Sequence, residues 1–161
     1  MICIVQARMS SLRLPNKVLI KIYNKTMLER VINSIKKSKK ITKIIVATSI
    51  LKSDDKIQNF CEAKNIECYR GSINNVYLRF VKIIKNLNCK NFIRISGDSP
   101  LIDYRLIDKA INIFIKKRSD IVTNVFPRSF PQGQSVEIIN SKIFIKNFQN
   151  IKKKTHKEHI T

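Results

Sequence analysis

Residues 8–17 hold three cations and two hydroxyls directly after a short β-branched run. The segment reads Arg-Met-Ser-Ser-Leu-Arg-Leu-Pro-Asn-Lys, and the small residue Ala7 precedes it. Its three basic residues barely exceed the roughly two that the chain average gives, so the position at a strand exit is the informative feature. Backbone N–H groups, serine hydroxyls and cationic side chains there can surround a triphosphate. Neither a P-loop nor a Rossmann glycine pattern occurs, and the alternative interpretation is a basic surface loop.

A second polar segment, residues 94–101, places Gly97 and Asp98 at the end of another predicted strand. Open parallel sheets bind ligands at the carboxyl ends of their strands, which makes this position informative as well. Glycine allows the backbone to approach a ligand closely, and an aspartate at a strand end can coordinate Mg²⁺ that bridges nucleotide phosphates. The alternative is an Asx-turn in which Asp98 only caps its own backbone.

The elements that position these segments alternate between short β-branched runs and longer stretches of helical periodicity, as in a mostly parallel sheet covered by helices. The predicted strands are residues 2–6, 43–48, 67–70, 92–95, 121–124 and 136–139. The predicted helices are residues 27–37, 54–64, 75–87, 104–117 and 141–148. Ser53 is the expected N-cap of the second helix, with Asp54 and Asp55 near the positive end of its dipole. Residues 126–133 hold two prolines and a glycine and predict a long loop.

Composition bounds the class of protein. The net charge of +21 suggests nucleic acid as a possible partner. Lysines, however, fall on nearly every predicted helix face, and Ile, Lys and Asn are the dominant residues of the chain. We therefore interpret the charge mainly as that of a solvated surface. Four cysteines without a CxxC pair indicate reduced thiols rather than a zinc site or a disulfide framework. No apolar stretch is long enough to span a membrane and no signal peptide precedes the first strand, so we expect one cytoplasmic domain over residues 1–161.

Two further polar segments, a third at residues 70–76 after a predicted strand and a fourth at residues 131–137, are weak signals when taken alone. Together the four segments resemble the cytidylyltransferase family that makes CMP-activated sugar acids, including the Kdo and acylneuraminate synthetases and the spore-coat polysaccharide F-type homologues. The most specific part is residues 6–17, close to the family element R-x-x-S-x-R-L-P-x-K. Further similarity lies in residues 45–49, 69–72, 94–103 and 158–161. The resemblance implies a nucleotide-diphospho-sugar transferase (GT-A, Rossmann-like) architecture: α/β, with a mostly parallel sheet flanked by helices.

The resemblance also implies roles for individual residues. The CTP phosphates would be held by Arg8, Ser11, Arg13 and Lys17, and catalytic Mg²⁺ by Asp98. The nucleotide base or the acceptor sugar would be bordered by Gly71, Asn74, Asn75 and Arg79. The small residues Ala7 and Gly97 are also expected to contact the substrate. We regard Arg8, Lys17 and Asp98 as the catalytic candidates.

The chain departs from the family pattern at four positions. Asn16 stands where glycine is common, which predicts a stiffer loop. Asn75, Leu78 and Ser135 stand where acidic residues are frequent, on the acceptor side of the site. These differences bear on sugar specificity more than on nucleotide binding.

The implied reaction transfers CMP from CTP to a sugar acid and releases pyrophosphate, in surface polysaccharide biosynthesis. The resemblance places a second aspartate beyond Thr161, so we expect a C-terminally incomplete domain that binds CTP weakly and turns it over poorly; a homodimer is also implied. The alternatives are a nucleotide-sugar-dependent glycosyltransferase of the same fold, or a basic nucleic-acid-binding module. No membrane partner is expected.

Overall fold

A computed structural model of the chain describes residues 1–11 and 13–150, and six of its strands form one mixed sheet. These strands are β1 (Ile2–Gln6), β4 (Lys43–Ser49), β5 (Glu67–Gly71), β6 (Asn91–Ser96), β7 (Ile121–Thr123) and β8 (Glu137–Asn140). Their order across the sheet is β5-β4-β1-β6-β8-β7, and among these six strands β8 alone runs in the direction opposite to the other five. Two further short strands, β2 (Lys21–Ile22) and β3 (Lys25–Thr26), pair as a hairpin. The predicted mostly parallel α/β sheet is confirmed.

Helices cover both faces of the sheet. They are α1 (Met27–Ile35), α2 (Asp55–Ala63), α3 (Val76–Asn86), α4 (Tyr104–Lys117) and α5 (Ser141–Asn150). Successive side chains of β1 alternate between the two layers: Cys3 and Val5 pack with α1, α2 and α4, whereas Ile4 packs with α3 and α5. Because both faces are buried, the central strands consist of nearly continuous apolar residues.

The first helix shows how local sequence sets the position of an element. The Thr26 hydroxyl caps α1 by accepting a hydrogen bond from the Glu29 N–H at 3.1 Å. The predicted apolar stripe is buried at Leu28, Val31, Ile32 and Ile35, with Met27 half-buried at its start. The helix therefore packs its apolar stripe against the sheet, and the β2–β3 hairpin separates it from the segment that carries the predicted phosphate site.

The start of the second helix differs from the prediction. Residues Lys52–Asp54 form a short 3-10 turn, so Ser53 lies within that turn and is not the N-cap of α2. Asp54 occupies the N-cap position, yet its side chain makes no capping hydrogen bond to α2. Asp54 is instead fully buried and directed toward the site described below, and only Asp55 belongs to the first turn of α2.

Other predicted elements agree with the structure to within one or two residues at each end. The four cysteines are core or half-buried thiols, as predicted. Each helix within residues 1–11 and 13–150 is too short or too polar to cross a membrane. The similarity noted at residues 158–161 lies outside the described residues.

Candidate functional site

The two most specific predicted segments meet at the carboxyl edge of the sheet. Strands β1 and β6 are parallel neighbours with Gln6 in register with Ser96. Beyond them the Gly97 N–H donates to the Gln6 carbonyl at 2.8 Å. A Cβ atom at Gly97 would lie 3.1 Å from the Cβ of Ala7 and from the Gln6 carbonyl oxygen. The tight backbone approach of the two strand ends therefore accounts for glycine at position 97 and favours a small residue at position 7.

A cavity of about 150 Å³ lies where these segments meet. Its lining consists of Gln6, Ala7, Arg8, Lys17, Val18, Ser96 and Asp98. All three residues predicted to be catalytic, Arg8, Lys17 and Asp98, belong to this lining. The volume is below the roughly 300 Å³ at which small-molecule sites begin, so the cavity matches part of a nucleotide, such as its phosphates.

Within the cavity, Lys17 and Asp98 form a direct ion pair through Oδ2 of the carboxylate. The Ser96 hydroxyl donates to the other oxygen, Oδ1, at 2.5 Å. Burial alone raises the pKa of Asp98, but hydrogen bonds from Lys17 and Ser96, together with the charge of Lys17, lower that pKa below its ordinary value. Asp98 is therefore a carboxylate held ionised beside a cation, and it is more than a turn cap.

The loop between β1 and the short 3-10 helix Lys17–Leu19 is organised around the backbone of Met9. The Met9 carbonyl accepts from the N–H groups of Ser11 and Asn16, each at 3.0 Å. Asn16 adopts a left-handed conformation, with φ 60° and ψ 12°. Asparagine tolerates that conformation better than most residues, which explains how it can occupy a position where the family resemblance leads us to expect glycine. We call residues 7–17, without the undescribed Leu12, the phosphate loop.

Two predicted phosphate ligands lie outside the cavity lining. The Ser11 hydroxyl accepts a hydrogen bond from the Leu14 N–H at 3.4 Å, within the loop itself. Arg13 is exposed at the loop surface. The roles of Ser11 and Arg13 as CTP ligands therefore stay predictions.

The third predicted segment follows β5, on the far side of β4 from the cavity. Asn75 caps α3 by accepting from the Leu78 N–H at 2.8 Å, and Asn74 is exposed beside it. Gly71 ends β5, and a Cβ atom there would lie 2.6 Å from Cγ of Arg79. Glycine at position 71 thus leaves room for the stem of the Arg79 side chain.

Arg79 is 2% exposed, and its Nε and Nη1 atoms have no hydrogen-bond partner in the described part of the chain. Burial lowers the pKa of Arg79 to about 10, the charge of Asp54 opposes that shift and the charge of Arg8 adds to it. Buried guanidinium nitrogens without a hydrogen-bond partner are costly. The positive charges of Arg79 and Arg8 therefore act on the same edge of the sheet, which suits an anionic ligand.

The fourth segment forms the loop before β8. The Asn124 side chain braces this loop, since its Nδ2 donates to the Gln134 carbonyl at 2.8 Å and its Oδ1 accepts from the Val136 N–H at 2.9 Å. Ser135, one of the departures from the family pattern, accepts from Arg128 Nη1 at 3.4 Å. Because β8 runs antiparallel to β6, this loop reaches the carboxyl edge of the sheet.

A metal ion would find one acidic ligand in the cavity, Asp98. No cluster of three or more His, Cys, Asp or Glu side chains able to hold a metal occurs within residues 1–11 and 13–150. Mg²⁺ is commonly bound by one or two carboxylates together with substrate phosphates and water. The donor set therefore fits a Mg²⁺ ion that arrives with a triphosphate, and does not fit a preformed all-protein metal cage.

One residue that contacts the phosphate loop was not among the predicted site residues. The Asp54 carboxylate accepts a hydrogen bond from the Met9 N–H at 2.7 Å. Adjacent acidic residues at the start of a helix suggest helix capping. A sequence pattern of this kind gives no indication that Asp54 contacts Met9, which is 45 positions away. The available signal was that Asp54 follows the exit of β4, beside β1 in the sheet.

Comparison with known proteins gives a consistent result. A family model described as cytidylyltransferase matches residues 2–159. The spore coat polysaccharide biosynthesis protein SpsF of Bacillus subtilis is 32% identical over 146 residues, 88% of this chain and 60% of that protein. The 3-deoxy-manno-octulosonate cytidylyltransferase of Bdellovibrio bacteriovorus is 27% identical over 139 residues, 84% of this chain and 55% of the enzyme. The chain spans 55% to 64% of the length of the first curated relatives that it matches.

A solved structure of a cytidylyltransferase from Leptospira borgpetersenii has a similar fold. It superimposes with a TM-score of 0.93 at 30% identity, covering 98% of this chain and 67% of the other. The shared fold extends through both strand exits that carry the cavity.

Proposed function

The chain belongs to the cytidylyltransferase family, and from that premise we propose that it transfers CMP from CTP to a hydroxyl of a sugar acid. The observation that carries the proposal is the cavity in which Arg8, Lys17 and Asp98 converge at the exits of β1 and β6. The sugar acid is supported by the Bdellovibrio relative, which is named for 3-deoxy-manno-octulosonate.

In the proposed reaction the acceptor hydroxyl oxygen attacks the α-phosphorus of CTP. A new oxygen–phosphorus bond forms, the bond to the bridging oxygen of the β-phosphate breaks, and pyrophosphate leaves with its electron pair. The hydroxyl proton passes to solvent. Protein groups contribute mainly by positioning the reactants and by stabilising phosphate charge.

Arg8 and Lys17 supply the positive charge in this proposal. Both residues line the cavity, where a triphosphate would replace Asp98 as the anionic partner of Lys17. Asp98 would hold Mg²⁺, which supplies further positive charge to the phosphate oxygens when bound. Ser11 and Arg13 would approach the outer phosphates from the loop surface.

The base and acceptor would lie toward β5 and the loop before β8. Gly71, Asn74, Asn75 and Arg79 border that side in the proposal, and the buried charge of Arg79 suits an anionic group there. A role in polysaccharide biosynthesis is supported by the relative SpsF. We also propose that the protein forms a homodimer and is located in the cytoplasm, where free CTP is available.

Nucleotide titration tests the proposal. The purified protein with Mg²⁺ should be stabilised more by CTP than by UTP, ATP or GTP in a thermal-shift assay, since a ligand that binds the folded state raises the unfolding temperature. Addition of 3-deoxy-manno-octulosonate should then release pyrophosphate. Stronger stabilisation by nucleotide-sugars than by CTP would favour a glycosyltransferase, and equal response to all nucleotides would refute the cytidylyltransferase assignment.

A further inference from the structure

The carboxylate of Asp54 connects two strand exits through its two oxygens. Oδ1 accepts from the Met9 N–H of the phosphate loop at 2.7 Å. Oδ2 accepts from the Thr48 hydroxyl at 3.0 Å and from the Ser49 N–H and hydroxyl at 3.0 and 2.5 Å, at the end of β4. With a relative exposure of 0%, the carboxylate depends on these four donors in place of water.

The contact reaches the residue on which the phosphate loop turns. Met9 lies between Arg8 and Ser11, and its carbonyl accepts from two loop N–H groups. Its side chain is buried in the core layer of α1. The hydrogen bond to the Met9 N–H therefore fixes the direction in which the chain leaves β1. It thereby fixes the position of Arg8 at the cavity.

The direction of the Asp54 side chain distinguishes this contact from ordinary helix capping. An aspartate at an N-cap position usually accepts from the second or third N–H of its own helix. Asp54 makes no such bond, and α2 begins without side-chain capping. The side chain instead accepts hydrogen bonds from the phosphate loop and from the end of β4.

We propose that Asp54 is a positioning residue of the nucleotide site, which holds the phosphate loop in its binding conformation through the Met9 N–H. This inference rests on the proposed function for its effect on CTP, but the contact itself is independent of the ligand. Asp54 acts through the loop backbone, so it is not a catalytic residue.

An electrostatic role and a positioning role of the Asp54 carboxylate predict opposite changes in CTP affinity when the carboxylate is lost. A negative charge near the cavity repels a triphosphate, so simple removal of the charge would tighten CTP binding. Loss of the hydrogen bond to the Met9 N–H would let the loop N–H groups and Arg8 adopt several positions, which would weaken CTP binding. The direction of the change therefore separates a positioning role from a purely electrostatic effect.

The substitution Asp54→Asn keeps the shape of the side chain and removes its charge, and its single acceptor oxygen cannot accept from both the Met9 N–H and the Ser49 N–H. We expect the Kd for CTP to rise roughly tenfold or more, as for the loss of a charge-assisted hydrogen bond. Hydrogen exchange of residues 7–16 should accelerate in the free protein, while exchange in β1 and β6 stays unchanged. The adjacent substitution Asp55→Asn is the matched control, because Asp55 is half exposed and pairs with Arg70 at 2.7 Å on the surface. It should leave both measurements within twofold of the wild type.

A milder substitution, Ser49→Ala, tests the same inference if the Asp54→Asn variant does not fold. Ser49→Ala removes one donor to Oδ2 and leaves the carboxylate charged, and it should accelerate loop exchange by a smaller factor in the same direction. Unchanged loop exchange in the folded variants, or tighter CTP binding by Asp54→Asn, would overturn the inference. If the wild type does not bind CTP, the proposed function fails, whereas the exchange measurement still decides the role of Asp54.

Discussion

Lys17 and Asp98 form an ion pair between the phosphate loop and the exit of β6, and this pair joins the two predicted segments of the site. Asp98 has a side-chain exposure of 26%, so the pair is only partly screened by water. A triphosphate entering the cavity would compete with Asp98 for the Lys17 ammonium. Release of Asp98 would then leave its oxygens for Mg²⁺, which couples nucleotide binding to metal binding in the proposed reaction.

The first prediction concerns Lys17. Lys17→Ala should lower the rate of pyrophosphate release from CTP roughly 100-fold or more, the usual effect of removing one group that stabilises transition-state charge. Lys21→Ala is the control, since Lys21 is exposed on β2 and contributes the same charge to the chain. Equal losses in the two variants would show that only net charge matters.

The second prediction concerns the pH dependence of stability at Asp98. Its pKa in the folded protein is below the ordinary value of 3.8. The ionised form is therefore favoured by folding, and its contribution is present above pH 3.8 and is lost as the pH falls through the folded pKa. Urea unfolding of the wild type and of Asp98→Asn should differ most near neutral pH and converge in acid. In a Lys17→Met background the pH-dependent difference should shrink, and a difference that grows in acid would contradict the assignment.

The third prediction uses the left-handed backbone of Asn16. Asn16→Ala should destabilise the protein by about 1 kcal/mol, because a Cβ-bearing residue without a compensating polar side chain is disfavoured at φ 60°. Asn16→Gly should be nearly neutral, since relief of backbone strain offsets the larger entropy of glycine in the unfolded chain. Denaturant unfolding measures both values. Equal effects of the two substitutions would mean that position 16 is not held left-handed in solution.

The strands and helices were predictable because their signals are local. The apolar runs of β1 and β4 and the stripe of α1 specify burial within a few residues. The antiparallel direction of β8 was not predicted, since pairing direction depends on where a long loop returns. Asp54 was missed for a related reason: its partner Met9 is 45 residues away, and no local pattern marks that contact. Gly97 and Asp98 were found because a strand exit is a local feature with a known chemical use.

The fourth prediction tests why position 71 is glycine. Gly71→Ala should cost about 1 to 3 kcal/mol, because the new Cβ would lie 2.6 Å from Cγ of Arg79 and overpack a buried contact. The penalty should be largely absent when Arg79→Ala removes that Cγ, although the Tyr69 ring at 3.3 Å keeps the position tight. A double-mutant cycle by denaturant unfolding measures the coupling. Additive effects of the two substitutions would show that Arg79 does not restrict position 71.

The fifth prediction separates stability from binding at Arg79. Its Nε and Nη1 have no hydrogen-bond partner among the described residues, and burial lowers its pKa to about 10, so the charged side chain destabilises the folded state at neutral pH. Arg79→Met retains the apolar stem and should stabilise the protein by about 1 kcal/mol or more, as an unsatisfied buried donor is removed. The same substitution should weaken CTP binding roughly tenfold, if the charge serves an anionic ligand. Arg118→Met, an exposed residue just after α4, is the control and should change neither property. A variant that is both less stable and unchanged in CTP affinity would show that Arg79 supports the fold and does not serve the nucleotide.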